Sequence, residues 1–183
     1  MHLELMRNPS ATFPRVVNPD AIRTMRIWHC KFKTLAPLSS FVNLEVLEIA
    51  TFPDGSFDAL SGLLRLRHLS VLHMPNISAL NPLEPLQGLE SLSLATSPAW
   101  DAAKKFTIVD SLEPIARIHS IRHLELLGVR PQSGSLAPLL LCKELQSARF
   151  SQYPVNEVRD FYATSGVSDA FNPKAVFDTE SYL

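Results

Sequence analysis

The chain has 183 residues, 46% of them apolar and 19% charged, and a formal net charge of -1. Length and hydrophobicity suffice for one domain with a substantial core, which separates the chain from disordered sequences. The near-neutral balance excludes the broad positive field that holds nucleic acid or an anionic membrane.

The opening "MHLELMRNPSATFPRVV" lacks a basic start followed by an apolar run, so it does not read as a signal peptide. No apolar stretch approaches the roughly 18 residues needed to cross a bilayer. Residues 1–21 form an N-terminal cap, with "HLELM" a short strand and "NPSATFP" and "NPD" supplying turn chemistry. The two cysteines, Cys30 and Cys142, lie far apart and are too few for a disulfide-stapled secreted domain. The expectation is therefore reduced thiols and a cytoplasmic location.

From Ile22 the chain repeats. The segments "IRTMRI", "LEVLEI", "LRHLSV", "LESLSL", "IRHLEL" and "LQSARF" start at residues 22, 44, 66, 89, 121 and 145, giving spacings of 22, 22, 23, 32 and 24. Alternating apolar positions suit a short strand with one buried face. The first four segments are followed by apolar residues three apart: Phe32, Leu35, Leu38 and Phe41; Phe57, Leu60 and Leu63; Ile77, Leu80, Leu83 and Leu86; and, once ten residues are set aside as an insertion, Val109, Leu112, Ile115 and Ile118. That period suits a 3₁₀ or short α segment. Leu-x-Pro-apolar marks this half at 35–38, 83–86, 112–115 and 136–139. Proline is tolerated in a first helical turn, where its missing N–H costs little. One such unit cannot bury enough apolar surface to fold alone, so the units must stack and share a core. The sixth segment carries Ala148 at the middle apolar position, as a terminal repeat would.

This pattern resembles the leucine-rich repeat family, in the short 22-residue type of phosphatase-regulator-like and internalin-like proteins, over about Ile22 to Gly166. The resemblance implies an α/β, right-handed leucine-rich-repeat solenoid. A parallel sheet of five or six strands lines the concave face, and short 3₁₀/α segments lie on the convex face. One departure stands out. The family usually places Asn, Cys or Thr at the ninth position, where the side chain bonds turn backbone. Here that column reads Cys30, Phe52, Met74, Ser97, Val129 and Tyr153. Irregular turns after the strands follow as an expectation. Residues 22–155 are then the repeats, and 156–183 a C-terminal capping helix and tail. Asn156 is the expected N-cap and Gly166 the C′ glycine, with Val158, Phe161 and Tyr162 closing the core. The tail either packs beside this helix or moves freely.

Function has to be sought on the concave columns. One reads Thr24, Val46, His68, Ser91, His123 and Ser147; the next reads Arg26, Glu48, Ser70, Ser93, Glu125 and Arg149. Trp28 follows Arg26 and is either an interface anchor or a cover for the N-terminal end of the core. A ten-residue insertion within residues 97–110 carries Trp100, Lys104, Lys105 and Phe106. Insertions in repeat arrays fall in loops, often on the binding face, so partner contact is the favoured reading. Packing of Trp100 and Phe106 back on the helical side is the alternative.

His68, His73, His119 and His123 invite a metal reading. His68 and His123 sit two strands apart, roughly 10 Å at ~4.8 Å per strand, too far for one ion. Glu48 and Glu125 are three strands apart, roughly 14 Å, beyond the ~5–9.5 Å that paired glycosidase carboxylates need. No nucleophile elbow, P-loop, zinc-protease or Cys-x-x-Cys motif occurs. The reading is a non-catalytic protein-interaction module, monomeric on its own, with no cofactor and no metal. It binds another protein through Arg26, Trp28, Glu48, His68, His73, His123, Glu125, Arg149 and the insertion. An inhibitor or immunity-type protein that blocks an enzyme or toxin is the alternative within this class. A hydrolase or metal-binding protein using the concave His and Glu residues is the alternative outside it.

Overall fold

The computed structural model describes residues 1–182. The strands are β1 (His2–Met6), β2 (Thr24–Trp28), β3 (Val46–Ala50), β4 (His68–Leu72), β5 (Ser91–Ala95), β6 (Thr107–Val109), β7 (His123–Leu127), β8 (Val129–Pro131), β9 (Ser147–Ser151) and β10 (Ser168–Asp169). Among the described residues, three short helices are α1 (Pro98–Ala102), α2 (Glu113–Ala116) and α3 (Val155–Ser165), beside five 3₁₀ turns. All strand pairs are parallel, and the main sheet runs β1-β2-β3-β4-β5-β7-β9-β10. It has eight strands. The five or six expected omit β1 and β10, which extend it at both edges. β6 and β8 form a separate parallel pair beside the insertion.

The apolar pattern becomes packing through strict register. Met25, Leu47, Leu69, Leu92 and Leu124 pair in sequence across the sheet, and all five are fully buried. Ile27, Ile49, Val71, Leu94 and Leu126 form the second inward column. On the far side of the core the period-three residues Leu38, Leu60, Leu83, Ile115 and Leu139 are buried from their short helical pieces. Pro37, Pro114 and Pro138 occupy first-turn positions, as the missing N–H requires. The third such piece differs from the expectation at 83–86. It spans Asn81–Leu83 around Pro82, and Pro85 falls after it. Neighbouring repeats cap some of these pieces. Asp54 accepts from the Leu35 N–H at 2.7 Å, and Glu157 accepts from the Leu136 N–H at 2.7 Å.

The turns after the strands are regular, contrary to expectation, except after β5, where the insertion begins. Arg7, His29, Thr51, His73, Gly128 and Gln152 all take left-handed φ, between 49° and 75°. Each sits immediately after a strand, and at Arg7, Thr51 and His73, as at Thr96 after β5, the backbone ladder continues through this position. The N–H groups of Arg7, Thr51, His73 and Thr96 donate to the carbonyls of Trp28, Leu72, Ala95 and Leu127. The next residue needs no amide ladder, because it plugs the core instead. Phe52, Met74 and Val129 are fully buried, the Cys30 thiol donates to the Leu5 carbonyl, and the Tyr153 hydroxyl donates to the Val129 carbonyl at 2.7 Å.

α3 begins at Val155, with Pro154 at the cap and no side-chain cap bond, so Asn156 is not the N-cap. Proline pre-sets the entry, and Asn156 is an exposed first-turn residue. Gly166 does close the helix in a left-handed conformation, φ 68°. Phe161 is buried, with Val158 and Tyr162 packed on the core beside it.

Candidate partner-binding surface

On a parallel strand, alternate side chains leave the core, so every strand contributes three residues to the outer face. The first outer column is His2, Thr24, Val46, His68, Ser91, His123 and Ser147. The second is Glu4, Arg26, Glu48, Ser70, Ser93, Glu125 and Arg149. The third is Met6, Trp28, Ala50, Leu72, Ala95, Leu127 and Ser151. The first two are polar apart from Val46, and the third is apolar up to its last member.

The charged candidates in the second column are largely engaged with one another. Arg26 lies between Glu48 at 2.9 Å and Glu4 at 3.3 Å. Glu125 accepts from the Ser93 hydroxyl at 2.8 Å and stands 3.7 Å from Arg149. In the first column His123 Nδ1 is 2.8 Å from the Ser147 hydroxyl. His68 is buried, and burial holds its imidazole below the ordinary histidine value against the pull of Glu48. Among the described residues, no group of three or more His, Cys, Asp or Glu side chains is arranged to hold a metal.

Burial of the first column has an unexpected cause. After β10 the chain neither packs beside α3 nor runs free. It crosses the concave face. Phe171, Pro173, Ala175 and Phe177 turn inward, alternating with exposed Asn172, Lys174 and Val176. The crossing ends at the first strand. The Arg26 guanidinium stacks 4.4 Å from the Phe177 ring, His2 lies 4.7 Å from it, and the Asp178 N–H donates to the Thr24 hydroxyl. Beyond it the His2 N–H donates to the Glu180 carbonyl, the Tyr182 N–H to the His2 carbonyl, and Ser181 bridges His2. The sequence held a signal for this, the period-two run "FNPKAVF".

The insertion also folds onto the solenoid, at the strand ends and not on the helical side. Trp100 of α1 meets the His73 ring edge-on at 5.0 Å, and the Arg130 guanidinium stacks 4.1 Å from Phe106. Gln152 donates to the Asp101 carboxylate and the Lys105 carbonyl. Lys104 and Lys105 remain exposed. Burial lowers the His73 imidazole's affinity for a proton.

The third column stays open between tail and insertion. Met6 is 50% exposed, and Trp28, Leu72 and Leu127 are half-buried. A cleft beside Arg26 is lined by Met6, Trp28 and Glu48. Met6 and Phe177 were not candidates from sequence, since one lay in the cap and the other in the tail.

No protein-family model matches the chain, and no curated protein matches it in sequence. Solved structures do. An internalin C2 from Listeria monocytogenes str. 4b F2365 aligns with a TM-score of 0.53 at 20% identity, over 72% of this chain and 53% of its own. The chain has the leucine-rich-repeat fold. This leucine-rich-repeat solenoid spans about half the length of that internalin. A second internalin from the same strain, inlF, aligns at 18% identity with a TM-score of 0.39, over 70% of this solenoid and 41% of its own chain.

Proposed function

We propose that this chain is a non-catalytic protein-binding module. Its open contact surface is the third outer column, together with the exposed side of the 97–110 insertion. One observation carries the reading: Met6, Trp28, Leu72 and Leu127 form an apolar stripe left partly open on an otherwise polar face. Exposed apolar stripes with an aromatic anchor and basic neighbours serve as interfaces. Arg7, Lys31, Lys104 and Lys105 are exposed near its two ends. The mutual engagement of Glu48 with Arg26, of Glu125 with Ser93, and of His123 with Ser147 favours a structural role for these groups over a catalytic one.

The partner is another protein, bound by a monomer, and the free thiols Cys30 and Cys142 fit a reducing compartment such as the cytoplasm. Among the described residues, no helix is long and apolar enough to cross a membrane. A photo-crosslinker at Leu72, compared with one at exposed Ser40 on the opposite side, tests the surface. A stoichiometric protein adduct from Leu72 alone supports it, and adducts from both positions or neither refute it. Assaying the activity of the captured partner with and without the solenoid then separates a scaffold from an inhibitor.

A further inference from the structure

The concave face is occupied, and the way it is occupied is informative. β10 sits outside β9, and Ser181 bridges His2 on β1. From β10 to β1 the sheet order gives seven strand steps, about 34 Å at ~4.8 Å per step. Asp169 to Ser181, fully extended, spans about 40 Å at ~3.3 Å per residue. The chain therefore has little slack, and no turn occurs between Ala170 and Asp178. This segment lies on the sheet as an extended peptide lies in a receptor.

The fit is good at the ends and poor between them. At one end the Ala170 N–H donates to the Ala148 carbonyl. At the other, Phe177 is stacked by Arg26 and His2, and Asp178 is tied to Thr24. Between these anchors no hydrogen bond joins the tail to the sheet among the described residues. The floor there is His68, Ser70, Ser93 and Glu125, and the tail faces it with Pro173, Lys174 and Ala175 across a cleft of about 410 Å³. Among the described residues, the buried Ser91 hydroxyl has no hydrogen-bond partner. Ser93 and Glu125 pair with each other, but His68 and Ser70 receive no hydrogen bond from the tail among the described residues. Apart from Lys174 the ceiling above them is apolar. That is a mismatch, because buried polar groups seek hydrogen bonds.

We infer that the concave face is a receptor for an extended peptide segment, and that residues 170–182 are its built-in, displaceable occupant. The segment that fits carries an aromatic residue followed by a carboxylate at the Arg26–Thr24 end. It carries hydrogen-bonding side chains, such as Asn or Ser, where the tail has Pro173 and Ala175. This rests on the binding-module reading but needs no natural partner to test.

The test uses the full chain and a fluorescent peptide of residues 169–182. Two variants weaken the resident tail without touching the solenoid. F177A removes the aromatic anchor, and A175D sets a carboxylate over Glu48 and Glu125. Intact fold is checked by circular dichroism. The wild type should bind the peptide at least tenfold more weakly than either variant, since its own tail competes at high effective concentration. A peptide carrying A175N should bind the variants more tightly than the native sequence, and adding R26A to F177A should abolish binding. If the peptide ignores both folded variants, or binds wild type and variants equally, the inference falls. In that case the Leu72 crosslink result still stands or falls on its own, so the two failures are distinguishable.

Discussion

The ninth position of each repeat offers the sharpest test of how this solenoid is held together. Family logic would replace Phe52 with Asn, and consensus replacements commonly gain about 0.5–2 kcal/mol. The structure predicts the opposite. Phe52 is fully buried and packs edge-to-face on Phe57 at 4.8 Å. Its own N–H already donates to the His73 carbonyl, and the neighbouring Thr51 N–H to the Leu72 carbonyl, so the amide would find these turn groups already paired. Removing the ring costs ~3–5 kcal/mol. Burying an amide without partners adds ~1–3 kcal/mol. Phe52→Asn should therefore destabilise by about 4–8 kcal/mol, a large fraction of the ~5–15 kcal/mol available to a domain. At ~2–4 °C per kcal/mol for a chain of this size, the melting temperature should drop by roughly 10–30 °C. Phe52→Leu, which keeps an apolar plug, should cost only about 1–2 kcal/mol. Urea and thermal melts followed by circular dichroism decide the matter. A Phe52→Asn midpoint at or above wild type would refute the plug and restore the amide-ladder logic.

Other outcomes follow from single sites. Gly128→Ala should be much worse than Gly166→Ala, although both glycines take left-handed φ. A Cβ at 128 would meet the buried Thr96 hydroxyl at 2.6 Å, whereas at 166 it meets nothing within 4 Å. Gly166→Ala should cost ~1–2 kcal/mol and Gly128→Ala clearly more, and equal losses in urea melts would contradict this. Burial depresses the proton affinity of His68 and His73 in the folded chain. The unfolded chain, with histidine near ~6.5, then binds more protons below that pH. Stability should be complete above about pH 6.5 and decline as pH falls below it, and His68→Gln should flatten the decline measured by urea melts at pH 7.5 and 5.5. Burial pushes the Cys142 thiol up to about 11. Iodoacetamide at pH 8 should modify Cys142 at least tenfold more slowly in the native protein than in urea, as followed by peptide mass spectrometry.

The strand columns were legible because burial on one face writes a period of two directly into Leu44–Ile49, Leu66–Val71 and Leu89–Leu94. Repetition then removed the ambiguity that any single short run carries. The outer columns followed from the same register, and with them the neighbours of Arg26 and Glu125. Orientation after the strands was not legible. A left-handed residue leaves no mark when His29, Thr51 or Gln152 adopts it in place of Gly. Asn156 carried a capping side chain, but Pro154 already set the entry to α3, so local preference was overridden. Trp100 and Phe106 leave partner contact and packing on the helical side both open in sequence, because their receivers, His73 and Arg130, lie in other repeats. The path of the tail is the least legible feature. Its alternation at Phe171, Pro173, Ala175 and Phe177 was visible, but nothing local says which sheet face receives it. The alternating charges Arg23, Glu45, Arg67 and Glu90 also recur with the repeat. They ion-pair as Arg23–Glu45 and Arg67–Glu90 along the strand entries.

The bridge between Ser181 and His2 joins positions almost a full chain apart. Every other pairing in the main sheet links adjacent turns of the array, so β1 through β9 can assemble in order as the chain emerges. The strap has to wait, because its receiving surface is complete only when all those strands are in place. It then closes on a rigid template whose ends are already held at the right distance, and not across a random coil. At synthesis rates of ~5–20 residues per second, Phe177 appears roughly one to five seconds after β9. Closure of the strap is therefore the last step of assembly, and the polar face is built before its own cover.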